Sequence, residues 1–398
     1  MGLYAQHGYG KGNKISKAIA SNDLSGVILG PKGESPKKLM EFVRELNRLN
    51  PETKIYFDPQ FHACYMQGEV VKGKLIEYPY YTDVLTRGQL SVSKNISKYA
   101  SDVVDFQRGL GITAIFSPTI RFNNFTGSES QIAVSLAFES IDLTKEIDDL
   151  YITLYINEIA FKNNEAMEEF LNTISLMDVK GFYIVIERNG DLTKSTLMDE
   201  EILQNLIRFL YILAEINKYD VILGYSDLLS IPLSIVGNIN FATGWFNNLR
   251  TYSEDNFRPA SGGRRPRKRY SSGVLMSSLL LVPEVAALNK FGLWSEIKSS
   301  SPYDDLISQS SNDTVWTDEV SCLHNWFVLK TILKEINNRA TIQSRIDFVA
   351  EKIKIAEGVY NKIKLANIPL EKKSNNAHLK VWYNAIKSFA EQIGYRIE

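Results

Sequence analysis

The sequence predicts an α/β fold, a (β/α)8 barrel of the TIM type with a helical C-terminal extension. Three observations carry that reading. Eight short runs rich in β-branched and aromatic residues recur along the first part of the chain. Most are continuously apolar and do not alternate, so both faces are expected to be buried, as in a parallel sheet covered by helices. Amphipathic helical stretches separate several of them, and eight strand–helix units in series are the signature of the barrel.

In order, the runs are LYAQ (3–6), GVILG (26–30), KIYFD (54–58), ITAIFS (112–117), LYITLYI (150–156), FYIVIE (182–187), DVILG (220–224) and INFAT (239–243). Between them, residues 35–50 place Leu39, Phe42, Val43 and Leu46 at helical spacing behind a Ser-Pro start signal. Residues 93–111 repeat the pattern and end in glycine, as a helix stop should. Residues 164–177 and 199–218 are two more helical stretches. An open doubly wound sheet is the competing architecture, but it normally uses fewer strands. Three places depart from a regular barrel: a compact first unit, a long Tyr-, Gly- and charge-rich insert at 59–92, and a short connection at 226–237 carrying Pro232. The barrel is assigned to 1–273. The remainder, 274–398, reads as helices with wide apolar faces around a serine-rich loop at 298–313.

The composition is that of an ordinary globular protein, 44% hydrophobic with a net charge of −1, so nothing global draws it to nucleic acid or an anionic membrane. Two distant cysteines, Cys64 and Cys322, signal neither a disulfide framework nor a zinc ribbon. His62 and Cys64 are two ligands and do not make a metal site. No stretch approaches the roughly 18 apolar residues of a membrane span, and the first residues lack a signal-peptide core. A cytoplasmic protein with no membrane engagement is expected.

In a TIM barrel, chemistry gathers where the strands end. Those ends carry His7, Asp58, His62, Glu158, Glu187 and Tyr225, with Trp245 and Arg250 beyond the last strand. Asp58, Glu158 and Glu187 are the candidate catalytic carboxylates. Two that share a cleft split their pKa values into a proton donor and an acceptor. The same three would suit a divalent cation bound through oxygen. The alternative is that one or two of them pair with Arg121 or Arg188 to fix the loops. The glycine loop 8–14, carrying Lys11, and the following Pro31-Lys32-Gly33 offer backbone N–H groups and ammonium groups to a phosphate, although neither a Walker motif nor GxGxxG is present. The strongest charge signal is SGGRRPRKRYSSG (261–273), with Arg264, Arg265, Arg267, Lys268 and Arg269 just past the eighth strand. Phosphate often binds near the last loops of such barrels, and arginine forks suit phosphate oxygens. Arg121 and Arg250 join this phosphate or nucleic-acid set. His7, His62, Tyr225 and Trp245 are the candidate contacts to a base or ring.

Tyr56-Phe57-Asp58-Pro59-Gln60-Phe61 resembles the strand-end Asp-x-x-x-Phe segment of the barrel-shaped tRNA-guanine transglycosylases and their DNA-modifying relatives. The resemblance implies a strand-end aspartate that takes part in base exchange. Pro59 and Gln60 stand where that family has glycines, and the cysteines of its C-terminal zinc site are missing. Together the residues lead to the expectation of an enzyme, a transferase or hydrolase, acting on a phosphate-bearing nucleotide or nucleic acid. The alternative is a non-catalytic barrel that binds nucleic acid, or a protein partner through the helical extension, within a multi-protein defence or processing assembly.

Overall fold

The computed structural model describes all residues except 191–195, 260–261, 263–266, 310–314 and 398, and the side chains at 308–309. Arg264 and Arg265 therefore lie outside the described residues.

The strands are β1 (Leu3–Gln6), β2 (Gly26–Leu29), β3 (Lys54–Phe57), β4 (Ile115–Phe116), β5 (Arg121–Phe122), β6 (Leu150–Asn157), β7 (Gly181–Glu187), β8 (Asp220–Gly224) and β9 (Ile239–Thr243). They run in parallel in the order β3-β2-β1-β9-β8-β7-β6-β4, and β5 also pairs with β6. The fourth barrel position is thus one broken strand. Pro118, with no N–H to give a ladder, lies in the break. The ring nearly closes between β3 and the segment before β4: the Thr113 N–H donates to the Ile55 carbonyl at 2.7 Å, and the Thr113 hydroxyl accepts from the Ile55 N–H at 2.9 Å.

Side chains alternate faces along a strand, so Tyr4 and Gln6 share a face, as do Tyr56 and Asp58, and Tyr151 and Tyr155. That face is the barrel interior, because these residues touch across strands that are not neighbours. Tyr4 meets Tyr56 at 5.5 Å between ring centroids, Tyr56 stacks on Phe116 at 5.2 Å, and Phe116 on Tyr183 at 4.6 Å. Aromatic rings thus fill the lower barrel as a packed core. The same strand faces end upward in polar groups: Gln6, Asp58, Asn157 and Glu187.

The outer helices begin as the sequence indicates. Pro36–Leu49 starts on a proline and buries Leu39, Phe42, Val43 and Leu46. Ser93–Arg108 stops at Gly109, and the Asn163 side chain caps Asn164–Ile174. The insert at 59–92 is pinned by its own aromatics, with Tyr78 stacked on Phe57 at 5.9 Å and the Tyr80 hydroxyl donating to the Pro59 carbonyl at 2.9 Å.

An antiparallel hairpin, β10 (Arg269–Ser272) with β11 (Ser277–Leu280), straddles position 273. The helix Asp318–Asn337 completes the barrel's outer ring beside β9 and β1. From it, the Trp326 indole N–H donates to the Thr243 carbonyl at 3.1 Å, and Asn325 donates to Asp227 at 3.1 Å. Glu319 pairs with Lys17 on the first helix. The helix Ile342–Leu365 covers the short turns of 227–236, where Arg345 donates to the Ile235 carbonyl at 2.8 Å, and Ala377–Gln392 packs on the helix Glu200–Tyr211. A connection too short for a full helix leaves apolar strand uncovered, and the extension supplies the cover.

Candidate functional site

Asp58 emerges from β3 fully buried at the upper end of the barrel. Its Oδ1 accepts from the Gln60 N–H at 3.0 Å; its Oδ2 accepts from the hydroxyls of Tyr155 at 2.5 Å and Tyr183 at 3.4 Å. No Lys, Arg or His pairs with it among the described residues. Burial pushes its carboxyl up to about 6, opposed by the hydrogen bonds from Tyr155, Gln60 and Tyr183, which favour the anion. A carboxyl poised there exchanges protons near neutral pH.

Two histidines flank it as neutral rings. His62 stacks on Tyr155 at 4.0 Å, and its Nε2 lies 2.6 Å from the Tyr252 hydroxyl. Tyr252 is fixed by its carbonyl, which accepts from the Arg188 N–H at 2.9 Å. Burial drives His62 down to about 3. His7 is driven down to about 4 by burial, with Glu34 opposing and Lys11 adding to the shift. The Nδ1 of His7 accepts from the Gly30 N–H at 3.4 Å, which leaves the proton of the neutral ring on Nε2.

That His7 Nε2 is buried and has no hydrogen-bond partner among the described residues. Neither have Gln6 Nε2 and Gln60 Oε1. Buried polar groups are nearly always paired, so such atoms gathered at one barrel end make it the candidate ligand site. The backbone supports that reading. Gln60, Tyr225 and Asp227 hold φ values of 50°, 54° and 38°, in the left-handed region that non-glycine residues avoid and that clusters at functional sites. Gly30 makes room, since a Cβ there would approach the Gln60 amide to 3.1 Å.

Above this layer opens a cleft of ≈ 500 Å³ lined by His7, Tyr9, Lys32, Gln60, Tyr225, Phe246 and Phe257, among others. Asp58 is not in the lining; it bonds to the backbone of Gln60, which is. Lys32 donates to the Asn256 carbonyl and lies 4.5 Å from the Phe257 ring centroid, with its ammonium pKa lowered by burial. Lys11 pairs with Glu34 over the Phe42 ring and does not reach the cleft lining.

The other two carboxylates have different surroundings. Glu158 receives Arg188 Nε at 2.6 Å and the Asn189 N–H at 2.6 Å. Glu187 receives Arg121 Nε at 2.6 Å and the Asn157 amide. Both therefore fix loops by pairing with arginine, and Arg121 is a loop-fixing partner here. Asp58, Glu158 and Glu187 do not converge, and the described residues contain no group of three His, Cys, Asp or Glu arranged to hold a metal ion. The expected cation through those three carboxylates has no ligand set here, because each is committed to different partners.

A second recess, of ≈ 650 Å³, lies between the last barrel loop and the extension. Lys14, Trp245, Phe246, Arg250, Arg267, Lys268 and Arg269 line it with Asp318 and Ser321. Arg269 is also an anchor: it donates to the Ser278 carbonyl at 2.6 Å and pairs with Glu371, as does Arg267. Trp245 touches both regions. Its ring lies 6.5 Å from that of His7, and its indole N–H donates to the Tyr9 carbonyl at 2.8 Å.

Sequence reasoning missed Gln6, Gln60, Tyr155, Tyr183, Lys14, Phe246 and Lys373. The signal for Gln6 and Tyr155 was the period of two in Tyr4-x-Gln6 and Tyr151-x-x-x-Tyr155, which puts both on an inward face. None of the described helices is long and apolar enough to cross a membrane. Comparison of the chain with protein-family models and with curated proteins finds no match.

Proposed function

We propose that this chain is an enzyme acting at the barrel mouth on a phosphate-bearing nucleotide or nucleic-acid substrate, in a base exchange or hydrolysis. One observation carries the proposal: a buried carboxyl with no cation beside it among the described residues lies beneath a cleft whose floor holds amide and imidazole groups unpartnered among those residues. Among the lining residues, His7 Nε2–H is a donor and Gln60 Oε1 is an acceptor. That complement matches the edge of a planar heterocycle with ring nitrogens and carbonyls. Phe246, 40% exposed, supplies a face for stacking. Asp58 holds the exchangeable proton of the floor and communicates with the cleft through Gln60 and through Tyr183, whose hydroxyl lies 3.4 Å from Gln6 Oε1. The resemblance of residues 56–61 to the transglycosylases leads to the same aspartate. A chain working from one carboxyl, not a carboxylate pair, is the form this geometry favours.

The test is a thermal-shift screen of free bases, nucleosides, nucleotides and short oligonucleotides, followed by turnover assays on the hits. A ligand that binds the folded state raises the melting temperature by mass action. Asp58→Asn is expected to retain binding and lose turnover. A screen in which no member stabilises the protein, or full turnover by Asp58→Asn, overturns the proposal.

A further inference from the structure

We infer that the recess between barrel and extension is a subsite for the compact phosphate chain of a nucleoside di- or triphosphate whose ring occupies the barrel-mouth cleft. The inference rests on the function proposed above and adds the class of substrate.

Three separate stretches of chain send cations to this one recess. Lys14 comes from the first helix, Arg250 from the turn after β9, and Arg267, Lys268 and Arg269 from the hairpin. Asp318 is the one carboxylate in the described lining, and Glu371 pairs with both Arg267 and Arg269. Lys373 adds a further ammonium at the rim, donating to Asn247 Oδ1 at 3.0 Å. On a chain of net charge −1, this concentration is local and built. Arg250 commits its Nε–H to the Gly244 carbonyl at 3.1 Å, and its terminal nitrogens have no partner among the described residues. The groups also repel each other. Lys373 is pushed down to about 8, by burial first and then by Arg269 and Arg250. Arg269 is pushed down to about 10, mainly by burial. An anion in the recess would relieve that repulsion, and arginine forks are the donors best matched to phosphate oxygens.

The recess and the cleft are neighbours. Phe246 lines both and is 40% exposed between them, so one ligand can pass over its ring from floor to seam. A nucleic-acid backbone wants a track of cations spaced along a groove. Here the cations converge from several directions on one recess, which suits a short polyanion.

Calorimetric titration with inorganic pyrophosphate tests this. The wild-type protein is expected to bind it, and Arg250→Ala to weaken binding about ten-fold, the loss expected for one charged donor group. Lys14→Ala, a second recess variant, guards against a folding defect in the first, with the melting temperature of each recorded. Gln60→Ala, in the cleft, should bind pyrophosphate as wild type does. Pyrophosphate affinity should fall with salt no more steeply than two or three contacts require. No pyrophosphate binding by the wild type, or wild-type affinity in both recess variants, overturns the inference. So does an oligonucleotide that binds more tightly than any nucleoside triphosphate with a steep salt dependence. If pyrophosphate binds through the recess while no base or nucleoside binds the cleft, the subsite stands and the proposed function falls.

Discussion

Two edges of the same barrel mouth carry acidic residues in equivalent positions, yet the structure treats them in opposite ways. On the β6–β7 edge, Glu158 and Glu187 each meet an arginine at 2.6 Å. On the β3 edge, Asp58 is equally buried and meets two tyrosines and a backbone N–H. The difference teaches how to separate a carboxylate that builds from one that works. Pairing with arginine fixes the charge and the loop together. Burial without a cation leaves the charge costly, and the group then trades protons near neutral pH.

The comparison is most easily broken from the paired edge. Arg188→Ala leaves Glu158 buried without its partner, and a loss of about 3–5 kcal/mol is expected for a broken buried pair. Arg121 is more exposed, so Arg121→Ala should cost less, about 1–2 kcal/mol. Chemical denaturation of both variants measures this. If Arg188→Ala is as stable as wild type, Glu158 is not held by the pair and the contrast fails.

The β3 edge should respond with the opposite sign. The Asp58 carboxyl rises from 3.8 to about 6 on folding, so the folded state binds the extra proton between those values. Its contribution is therefore full below pH ~4 and is lost as the pH rises through ~6, a swing of about 3 kcal/mol. Asp58→Asn should flatten the stability profile across that window. At pH 7 it should be no less stable than wild type, since it removes a burdened charge. A variant that is several kcal/mol weaker at pH 7 would make Asp58 a structural partner like Glu158.

The fold was legible because burial on both faces writes itself into a strand as an unbroken apolar run. The fourth strand was read as one run at 112–117, yet the ladder forms at Ile115–Phe116 and again at Arg121–Phe122 around Pro118. Strand-end positions of the carboxylates were legible too, since topology alone puts them there. Their partners were not. Asp58 meets Tyr155 at a separation of 97 residues and Glu187 meets Arg121 at 66, and no local pattern encodes which acid receives which donor. The arginine run of 264–269 read as one phosphate loop. Among its described members, Arg269 and Arg267 are partly occupied with Glu371, while Lys14 and Arg250, from elsewhere in the chain, share the recess.

Asp58 is buried, pairs with no cation among the described residues, and its carboxyl is pushed up to about 6 by burial. Carboxyl carbon-13 NMR, with Asp58→Asn used to assign the resonance, measures that midpoint directly. A midpoint near 6, unmoved by pyrophosphate and moved by a ligand bound in the cleft, is the predicted behaviour of the floor of a working site, with the value set by burial. A midpoint at or below the ordinary aspartate value of about 3.9 would place Asp58 with the paired carboxylates and contradict the account.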